Sequence, residues 1–394
     1  AAGERRERVY LVGGTVRDLL LGHETLDLDL AVEGSPDVSG LARTVADEIG
    51  SSVVAHSRFG TATLQAGTLS VDLAMARTER YPRPGALPEV QPGAIEEDLS
   101  RRDFTINAIA IDVSEPTFGA VIDPLAGRAD LEARLIRVLH DGSFRDDPTR
   151  ILRALRYQAR FDFALEKHTE RLLKRHAEDL RGISGDRVRH ELERTWGERE
   201  PERVLEAAQE AGVLAAIHPG LAWDSTASRR FARARRDGAA SPAVYLALFA
   251  YELDEAAVNG LVKRLALSRA AARAIRDAHG LRGAVASIAA PQQTRPSEVV
   301  QALDGYSPDA VAACRAATES PIIDERLGRY LEEWRDVRPR LDGKSLAGLG
   351  VDEGPDVGAL LERLRNARLD GQAVTRDDEI ALVRRWLRSS GNAG

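Results

Sequence analysis

Apolar and polar positions alternate with a period of two in several short runs of the first 140 or so residues, which predicts β-strands. We expect strands in RVYLVGG and TLDLDLAVEG, and two more within residues 51–77 with a turn near Gly67. Helical spacing over Thr15–Leu21 and over DVSGLARTVADEIG places two helices among them. The mixture predicts an α+β head.

The stretch from residue 77 to residue 98 breaks this pattern. It contains ERYPRPGALPEVQPGA, where four prolines and two glycines fall within 16 residues. Such a composition favours turns over regular structure, so we expect a mobile loop.

From about residue 141 onward the chain is rich in Ala, Leu, Arg and Glu at helical spacing, which predicts an all-helical remainder. Breaks are expected near Gly182, Pro219, Pro242, Pro291 and Pro321. The predicted units are a head (1–138), a neck (139–200), a body (201–335) and a tail (336–394).

Composition narrows the class of protein. The 394 residues are 43% hydrophobic and 30% charged, as expected for a soluble globular protein of several units. No apolar run reaches the roughly 18 residues that a membrane span needs, and the single cysteine cannot form an internal disulfide. We therefore expect a cytoplasmic protein without a membrane partner. The oligomeric state stays open.

Charge is unevenly distributed along the chain. The net charge is −7, yet residues 226–236 hold five arginines and no acid. A basic patch on an acidic chain can follow a phosphate backbone, although a solvated helix face is an equally good interpretation. The arginines are Arg229, Arg230, Arg233, Arg235 and Arg236.

Two aspartates in the second predicted strand are separated by one leucine. Positions i and i+2 of a strand share a face and lie about 6–7 Å apart, so Asp27 and Asp29 point the same way while Leu28 and Leu30 face the core. Two such carboxylates can hold hard divalent cations, of which Mg²⁺ is the expected one. Asp72, on another predicted strand, could approach the same ions as a third catalytic acid.

Gly13 and Gly14 lie between the first predicted strand and the helix that follows it. Glycines at that place let a phosphate approach backbone N–H groups, and Arg17, one turn further on, could add a phosphate contact. A phosphate cradle and a carboxylate pair lie within 17 residues of each other, and this combination strengthens the prediction of a metal site over that of an inert edge strand.

A third feature is the arginine stripe Arg150, Arg153 and Arg156 on a predicted helix. The segment from 148 to 161 holds no acid, so these side chains need counter-charges from elsewhere. A bound triphosphate would provide them.

These blocks together resemble the class II tRNA nucleotidyltransferase and bacterial poly(A) polymerase family. GGTVRD followed by LDLDLAV is similar to the family's first motif. EEDLSRRDFTINAIAID, VIDPLAGRADLEARLIRV, FRDDPTRILRALRYQARF and ISGDRVRHELERTW follow in the order of the family's later motifs. The resemblance is dense in the first half of the chain and loose in the second.

The resemblance implies a nucleotidyltransferase head with a mixed β-sheet, Mg²⁺ on Asp27 and Asp29, and CTP, ATP and the acceptor arm of tRNA as partners. It implies that Arg102 contacts the phosphates or sugar of the nucleotide and that Asn107 shapes the ribose site. It also gives the 77–98 loop a role in switching from C to A.

The resemblance assigns Asp147 and Arg150 to the incoming base. Cytosine and adenine each place an amino donor beside a ring-nitrogen acceptor, which suits a carboxylate next to a guanidinium. Uracil and guanine present the reverse pattern, at a cost of roughly a few kcal/mol. This chain has Asp146 where family members that add C and A usually have Glu.

Several activities stay open at this stage. The chain could add CCA, only CC, or only A to tRNA, or it could be a poly(A) polymerase. Outside catalysis, an RNA-binding protein with an inactive head is the alternative, and the intact aspartate pair speaks against it. A metal-dependent phosphohydrolase lacks a convincing His/Asp set.

Overall fold

The computed structural model describes residues 2–5, 7–34, 37–56, 61–83, 85–288, 295–352 and 354–390. The chain divides into two compact units, one ending at Ala222 and the other beginning at Trp223. Strands occur in the first unit, and among its described residues the second is helical. The α+β class is confirmed, whereas the finer boundaries at 138, 200 and 335 stay predictions.

The first unit is built on a mixed sheet of seven strands in the order β3-β4-β5-β2-β1-β8-β9. β2 and β5 are parallel neighbours and the other pairs are antiparallel. The strands of the first unit are β1 Arg8–Val12, β2 Asp27–Glu33, β3 Ser52–His56, β4 Thr61–Ala66, β5 Leu69–Met75, β6 Arg77–Arg80, β7 Glu89–Pro92, β8 Ala110–Asp112, β9 Val121–Ile122, β10 Leu135–Ile136 and β11 Ala164–Leu165.

The helices of this unit are α1 Gly14–Leu20, α2 Val38–Ile49, α3 Ile95–Ser100, α4 Gly127–Glu132, α5 Ser143–Asp146, α6 Thr149–Phe161, α7 Lys167–His176, α8 Gly185–Trp196, α9 Pro201–Glu210 and α10 Val213–Ile217. Some of these helices pack on strands, such as α2 on β4, and others pack on helices, such as α9 on α6. Short 3-10 turns cover Gly3–Arg5, Thr105–Asn107 and Ala177–Gly182. The two-residue pairing of β10 with β11 joins residues on both sides of the predicted 138/139 boundary.

Alternation along β2 sets the two faces of the sheet. Val32 is buried in a cluster with α2, and Leu30 packs against the same cluster. Ala31, one residue out of phase, belongs to the cluster on the other face with Tyr10. Asp27 and Asp29 share the parity of Ala31, so both point away from α2, as the sequence predicts.

Residues 51–77 form three strands, β3, β4 and β5, where the sequence predicts two. The predicted turn is confirmed at Gly67, which adopts φ 62° between β4 and β5. Residues 57–60, between β3 and β4, lie outside the described part of the chain.

The prediction of irregular structure across residues 77–98 is wrong. β6 and β7 form an antiparallel hairpin in which Arg77 pairs with Pro92, and α3 follows. The prolines do not prevent this, because Pro82 and Pro88 fall in the connection between the strands and Pro92 ends β7. Pro84 lies outside the described residues.

The second unit is made of helices with short connections. They are α11 Ser225–Arg236, α12 Pro242–Phe249, α13 Glu255–Arg264, α14 Arg269–Ala284, α15 Pro296–Leu303, α16 Pro308–Ala317, α17 Pro321–Arg329, α18 Gly343–Ala347, α19 Pro355–Leu369 and α20 Arg376–Ser390. A 3-10 turn covers Val285–Ile288 and a π turn covers Tyr330–Trp334. Pro242 and Pro321 begin helices as expected. Pro291 lies outside the described residues.

No helix in the described part of the chain is both long and apolar enough to cross a bilayer.

Candidate active site

The carboxylates of β2 lie beside the turn between β1 and α1. The hydroxyl of Thr15, at the start of α1, donates to the main-chain oxygen of Asp27 and accepts from the amide of Asp29, both at 3.1 Å. This pair of hydrogen bonds holds the glycine turn against the aspartate strand. Asp72 of β5 is the register partner of Asp29, and its carboxylate accepts from Thr63 Oγ1 at 2.6 Å.

The electrostatics of Asp29 favour a cation. The residue is solvent-accessible, but enough protein surrounds its carboxyl that desolvation raises the pKa of Asp29. Arg102 opposes that shift, while the carboxylates of Asp72 and Asp27 add to it. A bound cation would relieve this repulsion, so oxygen donors on one strand face fit a hard divalent ion. Within the described ranges, no three His, Cys, Asp or Glu side chains form a complete metal-binding group.

Gly13 adopts φ 70° and ψ −136°, a conformation that side chains rarely allow. A Cβ placed there would lie 2.7 Å from Nη1 of Arg102 and 3.7 Å from Oδ2 of Asp29. The glycine therefore serves two purposes. It makes the turn, and it leaves room for the Arg102 guanidinium beside the aspartate.

A chain of hydrogen bonds runs from α1 to α6. Arg17 is buried; its Nη1 donates to Asn107 Oδ1 at 2.7 Å, and its Nε and Nη2 each donate to Asp18 at 2.9 Å. Asn107 Nδ2 donates to Oδ1 of the buried Asp103 at 2.9 Å. Oδ2 of Asp103 accepts from Arg153 Nε at 2.8 Å and Nη2 at 2.5 Å. Each nitrogen of Arg17 thus has a partner in the protein.

Asp147 and Arg150 lie at the start of α6. Oδ1 of Asp147 accepts from Thr149 and, at 2.6 Å, from Nη2 of Arg187 on α8, which leaves Oδ2 outside these hydrogen bonds. Arg150 is buried and donates through Nη1 to Ser143 Oγ and through Nη2 to the main-chain oxygen of Arg101, both at 2.7 Å. Both side chains are fixed by neighbours while part of each stays available.

The hairpin loop closes one side of this region. The amide of Gly85 donates to the main-chain oxygen of Asp146 at 3.1 Å, and its carbonyl accepts from Arg187 Nη1 at 2.9 Å. These two hydrogen bonds attach the loop to the segment that carries Asp147. Tyr81 begins the loop, and burial raises the pKa of Tyr81 to about 12, although Arg150 acts to lower it.

One cleft of about 560 Å³ in the first unit collects most of the predicted nucleotide-site residues. Those lining it are Gly13, Gly14, Arg17, Asp29, Arg102, Asn107, Asp147, Arg150 and Arg153. They come from segments more than 130 residues apart in the chain, and the fold brings them together around one cleft.

Arg156 does not join them. It is buried and donates to Glu191 at 3.3 Å and Glu198 at 3.5 Å. The expectation that the arginine stripe lacks protein counter-charges is wrong for two of its three members, because Asp103 pairs with Arg153 and these two glutamates pair with Arg156. Arg150 donates to the neutral oxygens of Ser143 and Arg101. Neither Asp27 nor Asp72 is part of the cleft lining.

The sequence did not single out two residues that organise the cleft, Asp103 and Arg187. Asp103 stands immediately before the buried run FTINAIA, and an acid so close to buried apolar positions is a usable signal. Arg187 gives no such signal, since it is one arginine among several in α8.

The five arginines of α11 in the second unit differ in exposure and in their partners. Arg233 is held by Thr318 O and by Asp324 at 2.6 Å, and Arg230 pairs with Glu252 at 2.5 Å. Arg236 has 73% of its side chain exposed and lies 3.4 Å from Asp237, while Arg229 is exposed and donates to the neutral hydroxyls of Ser225 and Thr226 on its own helix. Arg235 is half-buried. The five therefore do not form one uniform basic face.

Comparison with known proteins identifies the family. Residues 9–137 match the Poly A polymerase head domain, and residues 162–224 match the probable RNA and SrmB-binding site of polymerase A. The CC-adding tRNA nucleotidyltransferase of Deinococcus radiodurans is 32% identical over 97% of this chain and 90% of its own length. The chain belongs to the tRNA nucleotidyltransferase and poly(A) polymerase family.

Two further relatives of this nucleotidyltransferase family are similar over almost the whole chain. The A-adding tRNA nucleotidyltransferase of Geobacter sulfurreducens is 35% identical over 97% of this chain, which covers only 45% of that relative's length. A solved CCA-adding enzyme in an apo form superposes with a TM-score of 0.83 at 32% identity, over 97% of this chain and 92% of the other. Enzymes of the family generally use divalent metal ions.

Proposed function

We propose that this chain transfers CMP, AMP or both from CTP and ATP to the 3′ end of tRNA without a template and releases pyrophosphate. The observation that carries this proposal is the shared cleft, whose lining includes Asp29 and Arg102 beside Gly13 as well as Asp147 and Arg150 at the start of α6. A nucleotide needs its triphosphate near a cation and its base near selective polar groups, and this cleft offers both. The names of the Geobacter and Deinococcus relatives support the choice of tRNA.

In this proposal Asp27 and Asp29 hold Mg²⁺. Bound there, the metal would stabilise the charge on the attacking and departing oxygens of nucleotidyl transfer. The residues fit such an ion because they offer carboxylate oxygens on one face of β2 and because Asp29 lies among like charges. Asp72, the register partner of Asp29, would add negative charge nearby rather than complete a three-residue site.

The base is selected by Asp147 and Arg150. Oδ1 of Asp147 is occupied by Thr149 and Arg187, so Oδ2 accepts from the amino group of cytosine or adenine. Arg150, fixed by Ser143 and Arg101, donates to the adjacent ring nitrogen. Uracil or guanine would bring an acceptor to the carboxylate and a donor to the guanidinium, which costs about 1–3 kcal/mol for each unmatched group.

The remaining cleft residues divide into contact and positioning roles. Arg102 contacts the phosphates, since its guanidinium lies beside Gly13 and Asp29. Arg17 uses three of its five N–H groups on Asp18 and Asn107, so it orients Asn107 toward the ribose and keeps two N–H groups for a phosphate. Holding reactants in one geometry supplies much of the rate in phosphoryl-type transfers.

Contacts with the RNA backbone are expected at exposed basic side chains. Arg229 and Arg236 of α11 are candidates for such contacts because they are exposed and, within the described part of the chain, no ion pair ties them to another helix. The switching role assigned to residues 77–98 stays a prediction, now for a hairpin whose tip is attached to α5 and α8.

The test is incorporation into tRNA transcripts that lack one, two or three terminal nucleotides, with each triphosphate supplied separately. Addition of C to the two shorter transcripts and of A to the longest indicates CCA addition, whereas only one of these indicates a CC-adding or A-adding enzyme. An Asp29→Asn variant should lose incorporation while retaining tRNA binding. Growth of a long A tail on unrelated RNA, or no incorporation at all by the unaltered protein, would refute the proposal.

A further inference from the structure

A buried acid outside the cleft holds two neighbouring arginines in place. Asp98 lies on α3 with a side chain that is 1% exposed. Its Oδ1 accepts from Arg101 Nε at 3.0 Å and Nη2 at 2.5 Å, and its Oδ2 accepts from Arg102 Nη2 at 2.8 Å. The amide of Arg77, the first residue of β6, also approaches Oδ1 at 3.3 Å. One carboxylate thus accounts for two cationic side chains.

Arg102 lies beside Asp29, in the part of the cleft where the metal is proposed, which we call the metal end. The hydrogen bond to Asp98 is the one that fixes the Arg102 guanidinium, since Arg102 Nε is buried without a partner among the described atoms. Its Nη1 occupies the space beside Gly13 and acts on Asp29 electrostatically. The position of Arg102 therefore depends on the charge of Asp98.

Arg101 supports the part of the cleft that contains Asp147 and Arg150, which we call the base end. Arg101 lies between two acids, because its Nη1 also donates to Glu79 Oε1 at 2.8 Å. Its main-chain oxygen in turn accepts from Arg150 Nη2 at 2.7 Å. Loosening the Arg101 side chain would free this carbonyl to move, and Arg150 would lose one of the two acceptors that orient it.

We infer that Asp98 is a positioning residue that sets both ends of the nucleotide site, acting through Arg102 on the triphosphate and through Arg101 on Arg150. Asp98 does not line the cleft, so its effect on a nucleotide must pass through these side chains. The inference rests on the proposed function and adds to it a residue that contacts no substrate. A misplacement of about 1 Å in such a site costs on the order of 100-fold in rate.

The test uses Asp98→Asn, with Glu96→Gln as the matched control on an exposed acid of the same helix. For Asp98→Asn we expect the Kd of CTP and ATP, measured without RNA, to rise about 10-fold and kcat/KM for incorporation to fall about 10–100-fold. The preference for CTP and ATP over UTP and GTP should fall as well, because Arg150 is less well oriented. Glu96→Gln should match the unaltered protein in all three measurements.

A double-mutant cycle separates positioning from general damage. In an Arg102→Gln background, Asp98→Asn should raise the Kd of the triphosphates much less than it does alone. If Asp98→Asn does not fold, the paired Asp98→Asn, Arg101→Gln variant removes both members of one ion pair and should show the same loss. Unchanged Kd in the single variant, or fully additive effects in the cycle, would overturn the inference. Absence of incorporation by the unaltered protein would instead refute the proposed function, while the Kd comparison would still decide the role of Asp98.

Discussion

Replacing Asp103 by asparagine removes the carboxylate that joins α6 to the Thr105–Asn107 turn. Asp103 accepts hydrogen bonds from Arg153 Nε and Nη2, from Asn107 Nδ2 and from the amide of Phe104. An asparagine can keep one acceptor, but its amino group would face the Arg153 guanidinium. The next carboxylate, Glu191, lies 3.9 Å from Arg153 and cannot replace the pair.

The size of the effect follows from this geometry. Breaking a buried ion pair by removing one partner costs about 3–5 kcal/mol, and water partly replaces the lost contact because the Arg153 side chain is 28% exposed. We therefore expect a loss of about 2–3 kcal/mol. For a unit of this size that corresponds to a melting temperature lower by roughly 5–10 °C. Nucleotide affinity should fall too, since Asn107 and Arg153 both line the cleft.

The pH dependence gives an independent check. Burial would raise the pKa of Asp103, but Arg153 and Asn107 together bring it below its ordinary value of 3.8. A carboxyl whose folded pKa is lowered stabilises the fold above its unfolded pKa and loses this contribution as the pH falls through the folded pKa. The difference in free energy of unfolding between the two proteins should thus stay constant from about pH 8 to about pH 5.

The assay is thermal and urea unfolding of both proteins across this pH range. Asp162→Asn is the control, because Asp162 pairs with Arg203 at 2.6 Å on the surface and the same substitution there should cost less than about 1 kcal/mol. An Asp103→Asn variant as stable as the control variant, or a difference that already narrows between about pH 7 and pH 5, would refute the assignment of Asp103 as an ionised, paired carboxylate.

Three further outcomes are expected. Asp29→Asn should lower kcat for incorporation about 10²–10⁴-fold with tRNA affinity unchanged in filter binding; near-normal kcat would contradict the metal role. Gly13→Ala should weaken CTP and ATP binding and lower the melting temperature, because φ 70° strains alanine and its Cβ would displace Arg102; calorimetry checks both, and full affinity would argue against the close approach. Arg236→Ala should lower the slope of log K for tRNA binding against log salt by about one phosphate contact. Arg233→Ala should instead lower the melting temperature and leave that slope unchanged. The reverse result would exclude an RNA contact for Arg236 and a structural role for Arg233.

Local patterns predicted the elements whose formation depends on near neighbours. Asp27 and Asp29 share a face because strand alternation leaves no other choice once Leu30 and Val32 pack against α2. Gly13 marks a turn because its positive φ is accessible to few other residues.

The same reasoning failed where a local signal had a distant counterpart. Proline content suggested an irregular loop, yet Pro82, Pro88 and Pro92 occupy the connection and the end of a hairpin whose tip is held by Asp146 and Arg187. Arg153 and Arg156 of α6 looked unpaired because their acids stand 35 to 50 positions away in the chain.

The sequence by itself determined which chemical groups are present and the local conformation that each adopts, because dihedral preferences and periodic burial act over a few residues. Only the tertiary structure decided which of these groups meet. Asp103 neutralises Arg153, Glu191 and Glu198 hold Arg156 outside the cleft lining, and Glu79 joins Asp98 in holding Arg101. Electrostatic pairing depends on distance in space, and the chain order does not specify that distance.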